Sequence, residues 1–170
     1  MQVNLIQLIP FEYPRPPLLI SGDTSSDYHG KQWLSLTHLD GTETIFEIRY
    51  EETSGPFKQV ELLGSLLVVG HQSKAYFYNI EKNKLLTSLD LSGYFGYLYT
   101  DQSQVFIADA EGLYCLDHSG RQIWSNKALG IDGVVVNSFT DTKIHGSGEY
   151  DPPGGWIDFV LDRASGNRLS

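Results

Sequence analysis

Cysteine is almost missing from these 170 residues, with Cys115 standing alone. One thiol closes no disulfide within the chain and assembles no cysteine-based zinc cluster, so a reducing, cytoplasmic setting is expected. Basic residues are scarce as well: 12 Lys and Arg face 21 Asp and Glu, a net charge of -9. That balance repels phosphate backbones and anionic membrane surfaces, which argues against nucleic acid or membrane as partner and for a basic protein. No apolar run approaches the roughly 18 to 20 residues that a membrane span requires. The pairs Leu5-Ile6 and Leu8-Ile9 are cut by Pro10, follow no basic segment and precede Glu12, which is not the pattern of a signal peptide. No Asn-x-Ser/Thr acceptor occurs. Helical spacing is lacking too: Ile80, Leu85, Leu86 and Leu89 come nearest, and Asn83 with its β-type flanks makes that stretch a turn and a strand.

What fills the chain is a series of short β-type runs, each stopped by Gly, Asn, Asp or Pro. They include Gln32 to Thr37, Glu43 to Ile48, Lys58 to Leu62, Leu66 to Val69, Ala75 to Tyr78, Leu85 to Leu89, Gln104 to Ala108, Leu113 to Leu116, Gln122 to Ser125, Val134 to Val136 and Trp156 to Leu161, with Lys143 to His145 as a weaker candidate. Hydrophobic residues make up 41% of the sequence and aromatics 12%, enough for one packed all-β domain over residues 1–170.

Three segments repeat. Tyr78-Asn79-Ile80-Glu81, Tyr114-Cys115-Leu116-Asp117 and Phe159-Val160-Leu161-Asp162 each run into a turn, a basic residue and an aliphatic one. In each, the aromatic and the aliphatic residue two places on share one strand face and enter the core, while the acidic residue opens a turn that Gly or Asn closes. The anchors lie 36 and 45 residues apart, a spacing near the roughly 40 residues of a propeller blade. At these residues the chain resembles the blades of quinoprotein-like β-propellers, of the PQQ-type and WD40-like kind, with Trp124 where that pattern often carries a Trp. A fainter fourth copy spans Leu36 to Ile45 around His38-Leu39-Asp40-Gly41-Thr42.

The resemblance implies a small β-propeller-like array of about four antiparallel blades. The leading expectation is a compact ring in which the first strand, Val3 to Ile9, pairs with the chain's other end. A half-propeller completed by dimerisation and an open β-sheet stack are the alternatives. The quinone cofactor of the enzyme branch is not expected, because its calcium-bearing centre has no matching ligands here, and no other cofactor is expected either. Taken whole, the chain resembles small bacterial cytoplasmic proteins of uncharacterised function.

The stretch from His145 to Trp156 combines glycines, carboxylates and aromatics, and is read as a long loop. Glu149, Tyr150, Asp151 and Trp156 are its candidate partner-binding residues; Pro-Pro and Gly-Gly shaping a hairpin, with Trp156 in the core, is the plainer reading. His145, Glu149 and Asp151 fall on one face if the segment is extended, which raises a metal-assisted hydrolase as an alternative, although no metal site is assigned. A second polar loop contributes Asp23 and Asp27; it has oxygen-bearing side chains at alternate positions but Tyr28 and Leu34 where a calcium loop needs Gly and Glu.

No nucleophile elbow accompanies Gly146-Ser147-Gly148. His71 and His118 are read as solvated turn residues, and Cys115 as a small packed one. Tyr94 to Tyr99 is expected to be an inner strand filled on both faces, with Phe95, Tyr97 and Tyr99 on one and Tyr94 with Leu98 on the other; an aromatic-lined binding face is the alternative. The function expected is therefore a non-enzymatic protein-binding module for a basic partner, as an immunity protein neutralising a cationic toxin would be. A small-ligand or carbohydrate binder using Trp156 and Tyr150 is the other alternative.

Overall fold

The computed structural model describes residues 1–21, 30–50, 57–101, 103–150 and 154–170. Those residues form four sheets and no helix. The first comprises β1 (Gln2–Ile6), β2 (Leu18–Ser21), β3 (Gly30–Thr37) and β4 (Glu43–Tyr50), in the order β1-β3-β4-β2. The second runs in chain order through β5 (Lys58–Leu63), β6 (Leu66–His71), β7 (Lys74–Asn79) and β8 (Lys84–Asp90). The third does the same through β9 (Phe95–Asp101), β10 (Gln104–Asp109), β11 (Leu113–Asp117) and β12 (Gln122–Asn126). The fourth holds β13 (Val134–Phe139), β14 (Lys143–Glu149) and β15 (Trp156–Asp162). All pairings are antiparallel except β2 with β4. The all-β, four-bladed architecture expected from the repeats is thus the one the chain adopts.

The repeated turns account for where strands stop. In the third sheet the Asp117 carboxylate accepts hydrogen bonds from the Ser119 amide at 2.9 Å and from the Ser119 hydroxyl, while Gly120 turns the chain with φ +79°. Ser119, followed by backbone amides and Arg121, holds the Asp117 pKa down to about 2. Asp162 binds Ser165 in the same manner, at 2.8 Å to its amide and 2.7 Å to its hydroxyl. In the second sheet this place belongs to Asn79, whose side chain accepts from the Lys82 amide at 2.7 Å. The first repeat therefore aligns two residues earlier than the sequence pattern placed it: Tyr76, Tyr114 and Phe159 are the equivalent aromatics. The faint fourth copy is sound, because His38 and Gly41 bond across the β3–β4 turn as Asp117 and Gly120 do.

Strand alternation then builds the core between sheets. Tyr76 and Tyr78 face back to Leu34, Leu36, Phe46 and Ile48 of the first sheet. Ala75 and Phe77 face forward to Phe95, Leu98, Ile107 and Tyr114 of the third. Leu113 and Cys115, with Phe106 and Trp124, meet Val136, Ile144, Phe159 and Leu161 of the fourth. Each buried Leu or Phe contributes roughly 1.5–3 kcal/mol by leaving water.

Three such clusters joining four sheets make an open arc. The strand β5 packs against β1 and β9, and β9 against β13, but among the described residues the fourth sheet makes no comparable packing with the first. The expected closure is corrected accordingly: β1 pairs with β3. The two end faces carry satisfied polar groups. On the first sheet Ser35 donates to Glu43 at 2.9 Å, and Glu47 accepts from Trp33 at 3.4 Å and from Arg49 at 2.7 Å. On the fourth, Asn137 donates to Ser147 at 3.2 Å, which donates to Asp158 at 2.8 Å. Such groups lose free energy if an apolar surface covers them, so these faces suit water.

Candidate functional site

One end of the arc, called upper here, carries the passages from sheet to sheet and the turns leading from the second strand of a sheet to the third. Between the third and fourth sheets its shape follows from glycines. Gly148 brings β14 so near the preceding segment that a Cβ there would lie 1.6 Å from the Leu129 carbonyl oxygen. That segment is then held from both sides: Leu129 and Gly130 amides donate to Glu111 at 2.9 and 3.1 Å, the Gly133 amide to Ala110 at 2.8 Å, and the Glu149 amide to Gly133 at 2.9 Å. Gly146 serves β15 likewise, since its Cβ would lie 2.4 Å from the Phe159 ring. The residues 146–149 are therefore strand with packing duties, a correction to their reading as loop.

A bulge at Gly96 sets the other wall. In the β9–β10 ladder Tyr97 pairs with Ala108 while Phe95 pairs with Asp109, leaving Gly96 extra. Phe95 turns in beside Leu98, over Gly70, where any Cβ would strike its ring at 2.0 Å. Phe95 therefore does not share a face with Tyr97 and Tyr99 as the alternation predicted, and Tyr97 is left on the opposite side. The Phe57 ring lies 6.0 Å from that of Tyr94 and 5.7 Å from that of Tyr97. Tyr94 donates its hydroxyl to the Asp132 carbonyl.

These parts enclose a hollow of about 240 Å³ lined by Phe57, Tyr94, Tyr97, Trp156, Asp109, Asp132 and Glu149, among others, and every charged residue lining it among the described residues is a carboxylate. At Gly133, a Cβ would stand 3.2 Å from the Trp156 ring, 3.7 Å from the Tyr94 hydroxyl and 3.8 Å from Glu149 Oε2. Burial, then the neighbouring Asp132 and Glu149, push the Tyr94 pKa up. Asp109 is spent on its turn, accepting from the amides of Ser92, Glu111 and Gly112 at 2.7–2.9 Å. Glu149 Oε1 accepts from the Gly154 amide at 2.6 Å.

Of the residues singled out in the sequence, Glu149 and Trp156 meet in this hollow, and Trp156 is not in the core. Tyr150 points away, donating its hydroxyl to the Ala128 carbonyl at 3.0 Å. Asp23, Asp27 and Asp151 lie outside the described residues. His145 and Glu149 do share a face of β14, but four residues of extended chain separate them by about 13 Å, too far to hold one ion; among the described residues no three His, Cys, Asp or Glu side chains gather as a metal would require. Cys115 is buried and its thiol pushed up to about 12 by that burial, as a packed residue should be. His118 is exposed in its turn. His71, by contrast, is buried and stacked on Tyr76 at 5.4 Å, a correction to its reading as solvated. Phe57 and Asp132 were not foreseen as site residues, and Tyr94 and Tyr97 only under the alternative of an aromatic-lined face.

The order of the sheets decides the fold. It is that of β-propeller blades. No family model and no curated protein matches the chain. Among solved structures, a chain of the Mitotic Checkpoint Complex is similar at TM-score 0.56 and 14% identity, covering 82% of this chain and 45% of that one. BamB from Moraxella catarrhalis is similar at TM-score 0.52 and 10% identity, over 86% and 46% of the two chains. The C-terminal WD40 domain of Sif2 gives 0.49 and 18%, over 84% and 42%. These neighbours are WD40-like and other β-propellers, and the chain spans a little under half the length of each.

Proposed function

We propose that this chain is a non-enzymatic protein-binding module that engages a basic partner through the upper hollow between its third and fourth sheets. The observation that carries the reading is the pairing of half-exposed aromatics with carboxylates: Trp156 is 45%, Tyr97 42% and Phe57 39% exposed around Asp132 and Glu149. Large rings held at a surface by a rigid scaffold are the residues that anchor protein interfaces. The net charge of -9 would speed encounter with a cationic surface. An immunity protein that masks a cationic toxin is the finer form of this proposal, supported by that charge and by the resemblance of the whole chain.

The test is capture of a partner from the native cell extract at low and moderate salt, followed by titration of the purified pair. Asp132→Asn with Tyr97→Ser is the informative variant, since Glu149 also braces the loop through Gly154. A basic partner bound more weakly at higher salt and about tenfold more weakly by the variant supports the proposal. A partner that is not basic, or one the variant binds equally well, overturns it.

A further inference from the structure

The junction of the third and fourth sheets has an aromatic and acidic cluster at each end, and the lower one holds a cation. There the Arg163 guanidinium lies over the rings of Phe106 and Phe139, 5.9 and 5.8 Å from their centroids. It is ion-paired with Asp101 and donates to the Thr140 carbonyl at 2.9 Å. From Phe139 a ladder of rings climbs through Tyr99 at 6.0 Å, Tyr97 at 6.1 Å and Phe57 at 5.7 Å to Tyr94 at 6.0 Å. It ends at Asp132 and Glu149, where no Lys or Arg among the described residues lines the hollow.

We infer that the upper hollow receives the guanidinium of an arginine side chain from the basic partner, an inference that rests on the binding-module reading above. The rings of Tyr94 and Tyr97 are each tilted 33° from Phe57, so the three form a wall and not a box of crossed faces. A planar, weakly hydrated guanidinium lies flat on such a wall and keeps its N–H fork free for carboxylates, whereas a compact ammonium holds its water more strongly. Two acceptors remain for that fork: the Asp132 carboxylate, which has no hydrogen bond to the described residues, and Glu149 Oε2 on the side facing Gly133. The lower end shows this chain already stabilising an arginine by the same combination of ring faces, a carboxylate and a carbonyl.

The experiment is an amide-proton NMR titration of the whole chain with the tripeptide Gly-Arg-Gly, beside Gly-Lys-Gly and the neutral isostere Gly-citrulline-Gly. The arginine peptide is expected to shift the Gly133 amide and the Trp156 indole with low-millimolar affinity, about tenfold tighter than the lysine peptide. Citrulline should leave both unmoved, and Asp132→Asn with Tyr97→Ser should abolish the arginine shifts while the resonances of the Phe106–Phe159 cluster stay in place. Equal response to lysine or citrulline, or no response to arginine at tens of millimolar, overturns the inference. The two proposals fail separately: a basic partner captured without any tripeptide response sinks the arginine site alone, and a tripeptide response without a partner sinks the module reading.

Discussion

Gln59 holds Leu98 by both of its backbone polar groups. The Gln59 amide donates to the Leu98 carbonyl at 2.9 Å, and the Gln59 side-chain oxygen accepts from the Leu98 N–H at 3.0 Å. The strand β9 is the innermost of its sheet, so that edge has no ladder of its own, and a side chain from β5 substitutes for a strand. Replacing Gln59 with Leu leaves two buried backbone groups without partners, at a cost of about 1–3 kcal/mol. Urea denaturation should show a lower midpoint with an unchanged slope.

Glycines at close contacts and glycines in open turns should separate by size of effect. Gly148→Ala drives a methyl into the Leu129 carbonyl and should destabilise by more than about 3 kcal/mol. Gly41→Ala meets no atom within 4 Å and faces only its φ of +81°, about 1 kcal/mol. Thermal melts of the two variants measured together check the order.

Arg163→Lys retains the charge near Asp101 but gives up the planar stacking on Phe106 and Phe139. The loss should be about 1–2 kcal/mol, read as a lowered melting temperature that high salt does not restore.

His71 predicts an acid-side loss of stability. Burial, then Lys58 and Lys74, lower its pKa from 6.5 to about 4. Between those values the unfolded chain binds a proton that the folded chain refuses. Its contribution is therefore complete above pH 6.5 and is lost as pH falls toward 4, on the order of 3 kcal/mol in all. Urea midpoints measured from pH 8 to 5 should decline below 6.5, and His71→Phe, which keeps a ring on Tyr76, should flatten that decline.

The blades were legible in the sequence because their turns depend on local chemistry: Asp117 with Ser119 and Gly120, and Asp162 with Ser165 and Gly166, announce themselves within five residues. The first repeat slipped by two because Tyr76, Phe77 and Tyr78 are all aromatic and any of them fits the pattern. Ring closure was not legible, since it depends on how end faces such as Ser35–Glu43 and Ser147–Asp158 satisfy themselves. The hollow was half visible. Glu149 and Trp156 stood out in one segment, but Phe57, Tyr94 and Asp132 come from three different passages between sheets, and the bulge that frees Tyr97 shows in sequence only as Gly96. His71 reads as a turn residue because Gln72-Ser73 follows it, yet it ends β6 and is buried with its ring stacked on Tyr76 of the next strand.

The measurement that bears most directly on the upper hollow as the binding surface is hydrogen exchange of the chain alone and in complex with its captured partner. Protection is expected to concentrate at residues 94–97, 130–135 and 154–157, around Gly133 and Trp156. Protection at the opposite end, in the turns carrying Asp101, Ser119 and Asp141, with the hollow unchanged, would contradict it.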